Sequence, residues 1–172
     1  MSAVRFIKRD TTVNVVSKQI TDIFTTDFRW YWINMTHEGS SATEQLNMKL
    51  LSNGTPYAGS TYQMAGRDND ADTSHSSTNQ SDTTQIAQFS KISTTDDGGG
   101  QQFWIVNPAH AANTIVWVQS SNSTGNNNFM YRNNAYALED TNIYDGIELS
   151  GTSGTVNSGG WWTVDIYGMQ QT

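Results

Sequence analysis

The sequence predicts an all-β protein, an antiparallel β-sandwich or barrel that forms a single domain with long polar loops. Three observations favour this fold class. Ser, Thr and Asn make up 56 of the 172 residues, leucine occurs only five times, and nineteen aromatic residues recur in spaced clusters. Ser and Asn compete with a helical backbone for hydrogen bonds, whereas Thr and the aromatics favour a pleated strand. We therefore expect a basic N-terminal arm or first strand at 1–18 and the sandwich domain at 19–172.

The clearest strand signals lie in the N-terminal part of the chain. The stretch "TVNVVSKQITDIF" alternates apolar and polar residues, and "DFRWYWINMTHE" gives the strongest signal of all. In that second stretch, alternation places four side chains on one face: Phe28, Trp30, Trp32 and Asn34. The other face carries Arg29, Tyr31, Ile33 and Met35. Because both faces carry apolar bulk, we expect a strand that is buried on both sides or covered by a neighbouring subunit.

Further strands follow in order. Leu46, Met48 and Leu50 recur at spacing two, and the turn pair Asn53-Gly54 ends their strand. The stretches "QQFWIVNP" and "NTIVWVQSS" predict an antiparallel pair, and "NIYDGIELSG" with "WWTVDIYGM" predicts a closing hairpin.

Two polar stretches separate these strands. Residues 66–83 and 120–128 contain almost no apolar side chains. Long stretches of this kind predict exposed loops, which in compact domains are often functional.

The net charge of −7 is unevenly distributed. Residues 1–18 hold four basic residues and one acidic residue, and the rest of the chain holds five basic and fifteen acidic residues. An acidic body disfavours nucleic-acid binding, since phosphate contacts depend on clustered positive charge. Cysteine is absent, which excludes disulfides. No apolar stretch reaches the length of a membrane span or forms a signal-peptide segment, so we expect no membrane partner and no Sec export.

Candidate chemistry is sparse. Asp68, Asp70 and Asp72 alternate as in calcium loops, where hard oxygens surround the ion. Thr73 and Asn79 stand where an EF-hand needs Gly and Glu. A solvated acidic loop is therefore the default and a divalent-ion site the alternative. We expect no other cofactor and no catalytic residues, because neither a G-x-S-x-G elbow nor a shared histidine motif is present.

The aromatic residues admit two uses. Their rings can stack on sugars, but at alternating strand positions we expect them to pack in the core and between subunits. The predicted protein interface combines the N-terminal cations with aromatic clusters. Its residues are Arg5, Lys8, Arg9, Trp30, Tyr31, Trp32, Trp161 and Trp162.

The stretch "DGIELSGTSGTVNSGGWWTVDIYGM" resembles the ending of small structural proteins of tailed bacteriophages, especially marine ones. In those proteins a strand of the type D-G-I-x-L leads through Ser-Gly turns to a final strand that ends near I-Y-G. The matching positions here are Asp145, Gly146, Ile147, Leu149, Ile166, Tyr167 and Gly168. The resemblance implies a jelly roll that assembles as a homotrimer in the host cytoplasm and is displayed on the virion surface.

We therefore predict a non-enzymatic virion structural protein, and foremost a capsid decoration (cement) protein that binds the major capsid protein. The basic segment 1–18 would dock electrostatically on an acidic lattice. The alternative is a tail or head fibre or knob that binds host-surface polysaccharide, although the chain lacks the heptads or repeats of a shaft. A polysaccharide-acting hydrolase with a carboxylate pair such as Asp68/Asp70 ranks third.

Overall fold

The computed structural model describes residues 3–38, 44–59, 61–70, 74–92, 98–123, 129–151 and 156–170. Every regular element within these ranges is a strand, which confirms the predicted all-β class. In chain order the strands are β1 (Val4–Val15), β2 (Ser17–Ile20), β3 (Trp30–Glu38), β4 (Glu44–Ser52), β5 (Thr55–Pro56), β6 (Tyr62–Asp70), β7 (Ser74–Thr83), β8 (Ile86–Ile92), β9 (Gly99–Val106), β10 (Thr114–Ser123), β11 (Phe129–Leu138), β12 (Gly146–Gly151) and β13 (Val156–Met169). The described part of the chain contains no helix that could cross a membrane.

The strands form two antiparallel sheets in a sandwich-like arrangement. The large sheet has eight strands in the order β1-β13-β3-β9-β10-β11-β6-β7. The small sheet has five strands, with β2-β12-β4-β5 in order and β8 paired to β4. Core residues come from both sheets, so the sandwich closes around one hydrophobic core. The finer prediction of a jelly-roll topology stays a prediction.

The central strand β3 divides its side chains between the two faces of the large sheet. Tyr31, Ile33 and Met35 point into the core and are fully buried, whereas Trp30 and Trp32 lie on the outer face and are partly exposed. This division follows the predicted alternation within β3. The prediction that Phe28 shares the face of Trp30 and Trp32 was wrong, because Phe28 precedes β3 and is buried in the core. Each fully buried apolar side chain contributes roughly 1.5–3 kcal/mol to folding, so the inward row fixes the orientation of the strand.

The β4–β5 hairpin confirms the turn that the sequence predicts. Asn53 and Gly54 both have positive φ, at 51° and 69°, and the strands resume pairing at Ser52 and Thr55. A two-residue loop with two positive φ values is a type I′ turn, which Asn-Gly favours because neither residue is strongly penalised there.

Parts of the two predicted polar loops are strands instead. Residues 66–83 contain most of β6 and β7, which pair in a hairpin from Tyr62 opposite Thr83 to Asp70 opposite Ser74. Likewise, β10 continues to Ser123. The loop prediction was wrong because apolar alternation marks only strands with one face on a core. A hairpin at the edge of a sheet is held by backbone hydrogen bonds and tolerates polar side chains.

The predicted closing hairpin is also wrong. The strand β12 lies in the small sheet between β2 and β4, and β13 lies in the large sheet between β1 and β3. By contrast, β9 and β10 do form the predicted antiparallel pair. Alternation specifies which face a side chain takes, but it does not specify the neighbour of a strand. The connection between β12 and β13 therefore crosses from one sheet to the other.

A glycine in β13 admits a large side chain into the core. A Cβ atom on Gly168 would lie 2.6 Å from the Phe28 ring. Phe28 is buried and packs edge-on against Tyr31, with ring centroids 5.9 Å apart. Because glycine has no side chain, the Phe28 ring packs against Gly168 and covers the end of the core. Phe28 lies just before the start of β3.

We expect the Gly168→Ala substitution to lower the free energy of unfolding by about 1–3 kcal/mol, because the added methyl group overpacks the Phe28 ring. Gly100→Ala is the matched control in the same sheet, since a Cβ there meets nothing closer than 3.9 Å. Urea denaturation monitored by circular dichroism would measure both variants. Equal stability of the two variants would contradict this account of the Phe28 contact.

Candidate functional site: the outer face of the large sheet

Strand register aligns five aromatic side chains across the outer face of the large sheet. Phe6 of β1 lies opposite Tyr167 of β13, and Tyr167 lies opposite Trp32 of β3. Trp32 lies opposite Trp104 of β9, and Trp104 lies opposite Trp117 of β10. We call these five residues the aromatic row. Cross-strand neighbours of this kind stabilise a sheet through direct side-chain contact.

The rings within and beside the aromatic row touch one another. Trp32 stacks on Tyr167 with ring centroids 5.1 Å apart, and Phe6 meets Tyr167 edge-on at 5.5 Å. Trp30 stacks on Trp117 at 6.0 Å with an interplanar angle of 13°. Trp117 is the most open of these indoles, with 36% of its surface exposed. The outer face thus presents two groups of packed rings, one of Phe6, Tyr167 and Trp32 and the other of Trp30 and Trp117.

A row of amide side chains runs beside the aromatic row. Asn34, Gln102, Gln119 and Asn133 are cross-strand partners on β3, β9, β10 and β11. On β3, β9 and β10, each amide lies two residues from the aromatic residue of the same strand, so the two rows are about 7 Å apart. We call these four residues the amide row. Each amide offers two N–H donors and one carbonyl acceptor.

Two grooves lie over these rows and share Gln119. The first has a volume of about 270 Å³ and is lined by Trp30, Trp104, Trp117, Gln119 and Asn133. The second has a similar volume, about 270 Å³, and its lining comprises Asn34, Gly100, Gln102, Gln119, Ser120, Ser121 and Tyr131. One groove is mainly indole and the other mainly amide and hydroxyl. No carboxylate lines either groove among the residues described.

An ion pair lies at the β13 end of the amide row. Asp165 lies opposite Asn34, and both of its carboxylate oxygens accept hydrogen bonds of 2.6 Å from the Arg9 guanidinium. Although partial burial opposes it, the hydrogen bond from Arg9 keeps the pKa of Asp165 below its usual range. The carboxylate is therefore ionised and neutralised by Arg9 near neutral pH.

The edge strand β1 carries a second candidate surface. Val4, Phe6 and Val13 on β1 and Val16 just after it are each more than half exposed. We call these four residues the β1 edge. A groove of about 170 Å³ adjoins it, lined by Arg5, Phe6, Ile7, Ile23, Thr25, Asp27 and Phe28. Long edge strands with exposed apolar side chains are sites for pairing with another chain.

Most cations of the N-terminal segment are engaged inside the chain. Arg9 binds Asp165, Lys18 lies 3.3 Å from Asp10, and Lys8 donates to the carbonyl of Thr21. Arg5 instead lines the groove beside the β1 edge. The segment is therefore a strand with internal ion pairs, and its surface offers an acidic partner less positive charge than the sequence suggests.

The predicted interface residues divide between the two faces of the sheet. Trp30 and Trp32 lie on the outer face, as an interface requires. The interface role of Tyr31 and Trp162 is corrected, because alternation turns both side chains inward and the core buries them fully. The Trp161 side chain lies outside the described part of the structure.

The amide row was not predicted from the sequence. The stretch "QQFWIV" does place Gln102 and Trp104 on one face by alternation. Only the register between strands brings them beside Gln119, Asn133 and Asn34, and a single sequence does not specify that register.

The predicted ion site lies largely outside the described residues. Asp68 and Asp70 belong to β6, but their side chains and all of Asp72 fall outside the description. In the rest of the chain that is described, no three His, Asp or Glu side chains come together in a way that could hold a metal ion.

Comparisons with known proteins found no relative of this chain. No protein family, curated protein or solved structure matches this chain.

One end of the sandwich interior is polar. Gln101, Asn122 and His37 are buried on the inner face of the large sheet, and the Gln101 amide donates to Asn122 Oδ1 at 3.1 Å. Burial lowers the pKa of His37 to about 4, and the nearby Asn122 side chain opposes this shift in part. The imidazole is therefore neutral in the folded protein near neutral pH.

We expect His37 to make the protein acid-sensitive. The folded pKa of about 4 lies below the ordinary value of 6.5, so the unfolded chain takes up the proton first as the pH falls. The stability that this group contributes is complete above pH 6.5 and is lost toward pH 4. Between pH 7 and pH 5 the loss is about 2 kcal/mol.

Denaturant titrations at both pH values would measure this loss in the wild type and in His37→Gln. The variant removes the titrating group, so its stability should change less over this interval. An identical pH dependence in both proteins would contradict the assignment.

Proposed function

We propose that this chain is a non-enzymatic virion structural protein, of the capsid decoration type, that docks on the particle through the β1 edge. The observation that carries the proposal is the row of exposed apolar side chains on a twelve-residue edge strand. An edge of this kind exposes unpaired backbone groups and apolar side chains. A second chain that covers the edge would pair those backbone groups and bury the apolar area, and both changes favour binding.

Charge and packing near the β1 edge support a protein partner. Phe6 is 53% exposed yet anchored from behind by Tyr167, so its ring is held in place before a partner arrives. The adjoining groove, with Arg5 and Asp27 among its lining residues, offers one charge of each sign. Docking would therefore depend mainly on apolar burial, with electrostatics as a smaller addition.

The grooves of the outer face support a non-enzymatic role. Hydrolysis of a glycosidic bond needs two carboxyl groups facing each other across the sugar. The residues that line the two outer grooves supply none. Asp165, the nearest carboxylate of the amide row, is bound on both oxygens by Arg9.

The homotrimer belongs to the same proposal. Sister copies would cover apolar area that one chain leaves exposed, and the assembly would then decorate the shell. Sedimentation of the purified chain over a range of concentrations tests it. A trimer supports the proposal, and a strict monomer at all concentrations contradicts the trimer.

We expect Phe6→Ser and Val13→Ser each to weaken attachment to particles that lack this protein by about tenfold or more, because both remove apolar contact area from the docking edge. Cosedimentation of the purified variants with such particles measures the attachment. Ile143→Ser is the matched control, since Ile143 is equally exposed, at 56%, but lies between β11 and β12. Unchanged attachment of the β1 variants, or an equal loss in the control, would reject docking through this edge.

A fibre or knob that binds polysaccharide is the second candidate. The specific observation in its favour is the pair of grooves over the aromatic and amide rows. The two candidates use different strands of the large sheet: docking uses the β1 edge, and the two grooves are lined by residues of β3, β9, β10 and β11. Each candidate can therefore be tested with its own variants.

A further inference from the structure

We propose that the grooves over β9, β10 and β11 form a binding site for a neutral polysaccharide chain. The site combines the indoles of Trp104 and Trp117 with the amides of Gln102, Gln119 and Asn133. It rests on the second candidate function and deepens it by naming the site and the neutral class of ligand, and it does not depend on the docking role of the β1 edge. The groove centre lies about 15–20 Å from β1, at three to four strand spacings.

The indole groove matches the apolar faces of sugar rings. Trp117 and Trp30 stack in nearly parallel planes, and Trp104 lies on the strand between them. Beyond Trp117 the same register row continues as Ala135 and Ala65, whose short side chains keep the sheet surface low. The step from indole to methyl gives this face a wall and a floor, which form a shallow, open channel.

The amide groove matches the hydroxyl edges of the same ligand. A sugar hydroxyl both donates and accepts, as does an amide side chain, so neighbouring hydroxyls can bond the two ends of one amide. The amide row lies about 7 Å from the aromatic row. A chain lying along the channel would meet aromatic rings on one side and amides on the other.

The groove linings favour a neutral ligand, and the nearest cation in the register of the amide row is the exposed Arg67, which lies opposite Asn133 on β6. No acidic or basic side chain lines either groove among the described residues. The carboxylate at the β13 end of the amide row is already neutralised by Arg9. The chain carries a net charge of −7, which opposes the approach of an anionic polymer.

The amide row also argues against a second copy of this chain as the occupant. A protein partner would bury these amides, and each would then need matching hydrogen-bond donors and acceptors. A buried group left without a partner costs about 1–3 kcal/mol. A protein surface would therefore have to place a hydrogen-bonding group opposite each of the four amides, at fixed positions. A polymer rich in hydroxyl groups meets the demand at any position along its length.

Affinity electrophoresis in gels that contain a β-glucan, a mannan, a galactan or a polyuronate would test the proposal. At least one neutral polymer should retard the wild-type protein. Trp117→Ala and Gln119→Ala should each raise the dissociation constant for that polymer about tenfold or more, and Trp117→Phe should retain part of the affinity. Ile143→Ala is the control for an exposed apolar residue away from the groove, and circular dichroism checks that each variant is folded.

Three outcomes would overturn the proposal: retardation by the polyuronate alone, retardation by none of the polymers, and equal loss in the Ile143 control. Sedimentation of Trp117→Ala provides a fourth. If this variant dissociates an oligomer that the wild type forms, a second copy covers the face and the glycan assignment fails. The Val13→Ser variant should bind the polymer as the wild type does, because Val13 belongs to the β1 edge and to neither row. This result separates the groove site from the β1 edge.

Discussion

Register at the centre of the large sheet is the constraint on which the rest of the structure depends. Side chains alternate along β3 and β9, so a slip of one residue would turn Trp32 and Trp104 into the core and expose Ile33 and Phe103. The fully buried inner rows make such a slip very costly. The same constraint therefore builds both the core on one face and the aromatic row on the other.

The two candidate surfaces differ in how firmly the sheet holds them. The grooves lie over β9 and β10, each of which has a bonded strand on both sides. Their rings and amides are thus placed before a ligand arrives, which reduces the entropy lost on binding. Among the described strands, only β13 pairs with β1, so the β1 edge has a bonded strand on one side. It suits a partner that completes the backbone pairing, because that pairing orders both chains together.

The sequence predicts the local features well, because they depend on neighbouring residues. Alternation in "RWYWINM" assigns Tyr31 and Trp32 to opposite faces, and Asn53-Gly54 specifies its turn through the φ values that these residues tolerate. Features that depend on distant residues were not predictable. Nothing within β12 or β13 indicates that they belong to different sheets, and the polar β6–β7 hairpin lacks the alternation that marks a strand on a core. The amide row exists only through register between strands, so no single segment reveals it.

The position of β13 between β1 and β3 has a consequence during synthesis of the chain. Arg9 and Asp165 are 156 positions apart, so β1 leaves the ribosome long before β13, its bonded neighbour in the large sheet, exists. For that interval its apolar side chains are open to other nascent chains, and such exposure promotes aggregation. Arg5, Lys8 and Arg9 lie among those side chains. Like charges on adjacent nascent strands repel, so these cations would protect the unfinished molecule until β13 arrives.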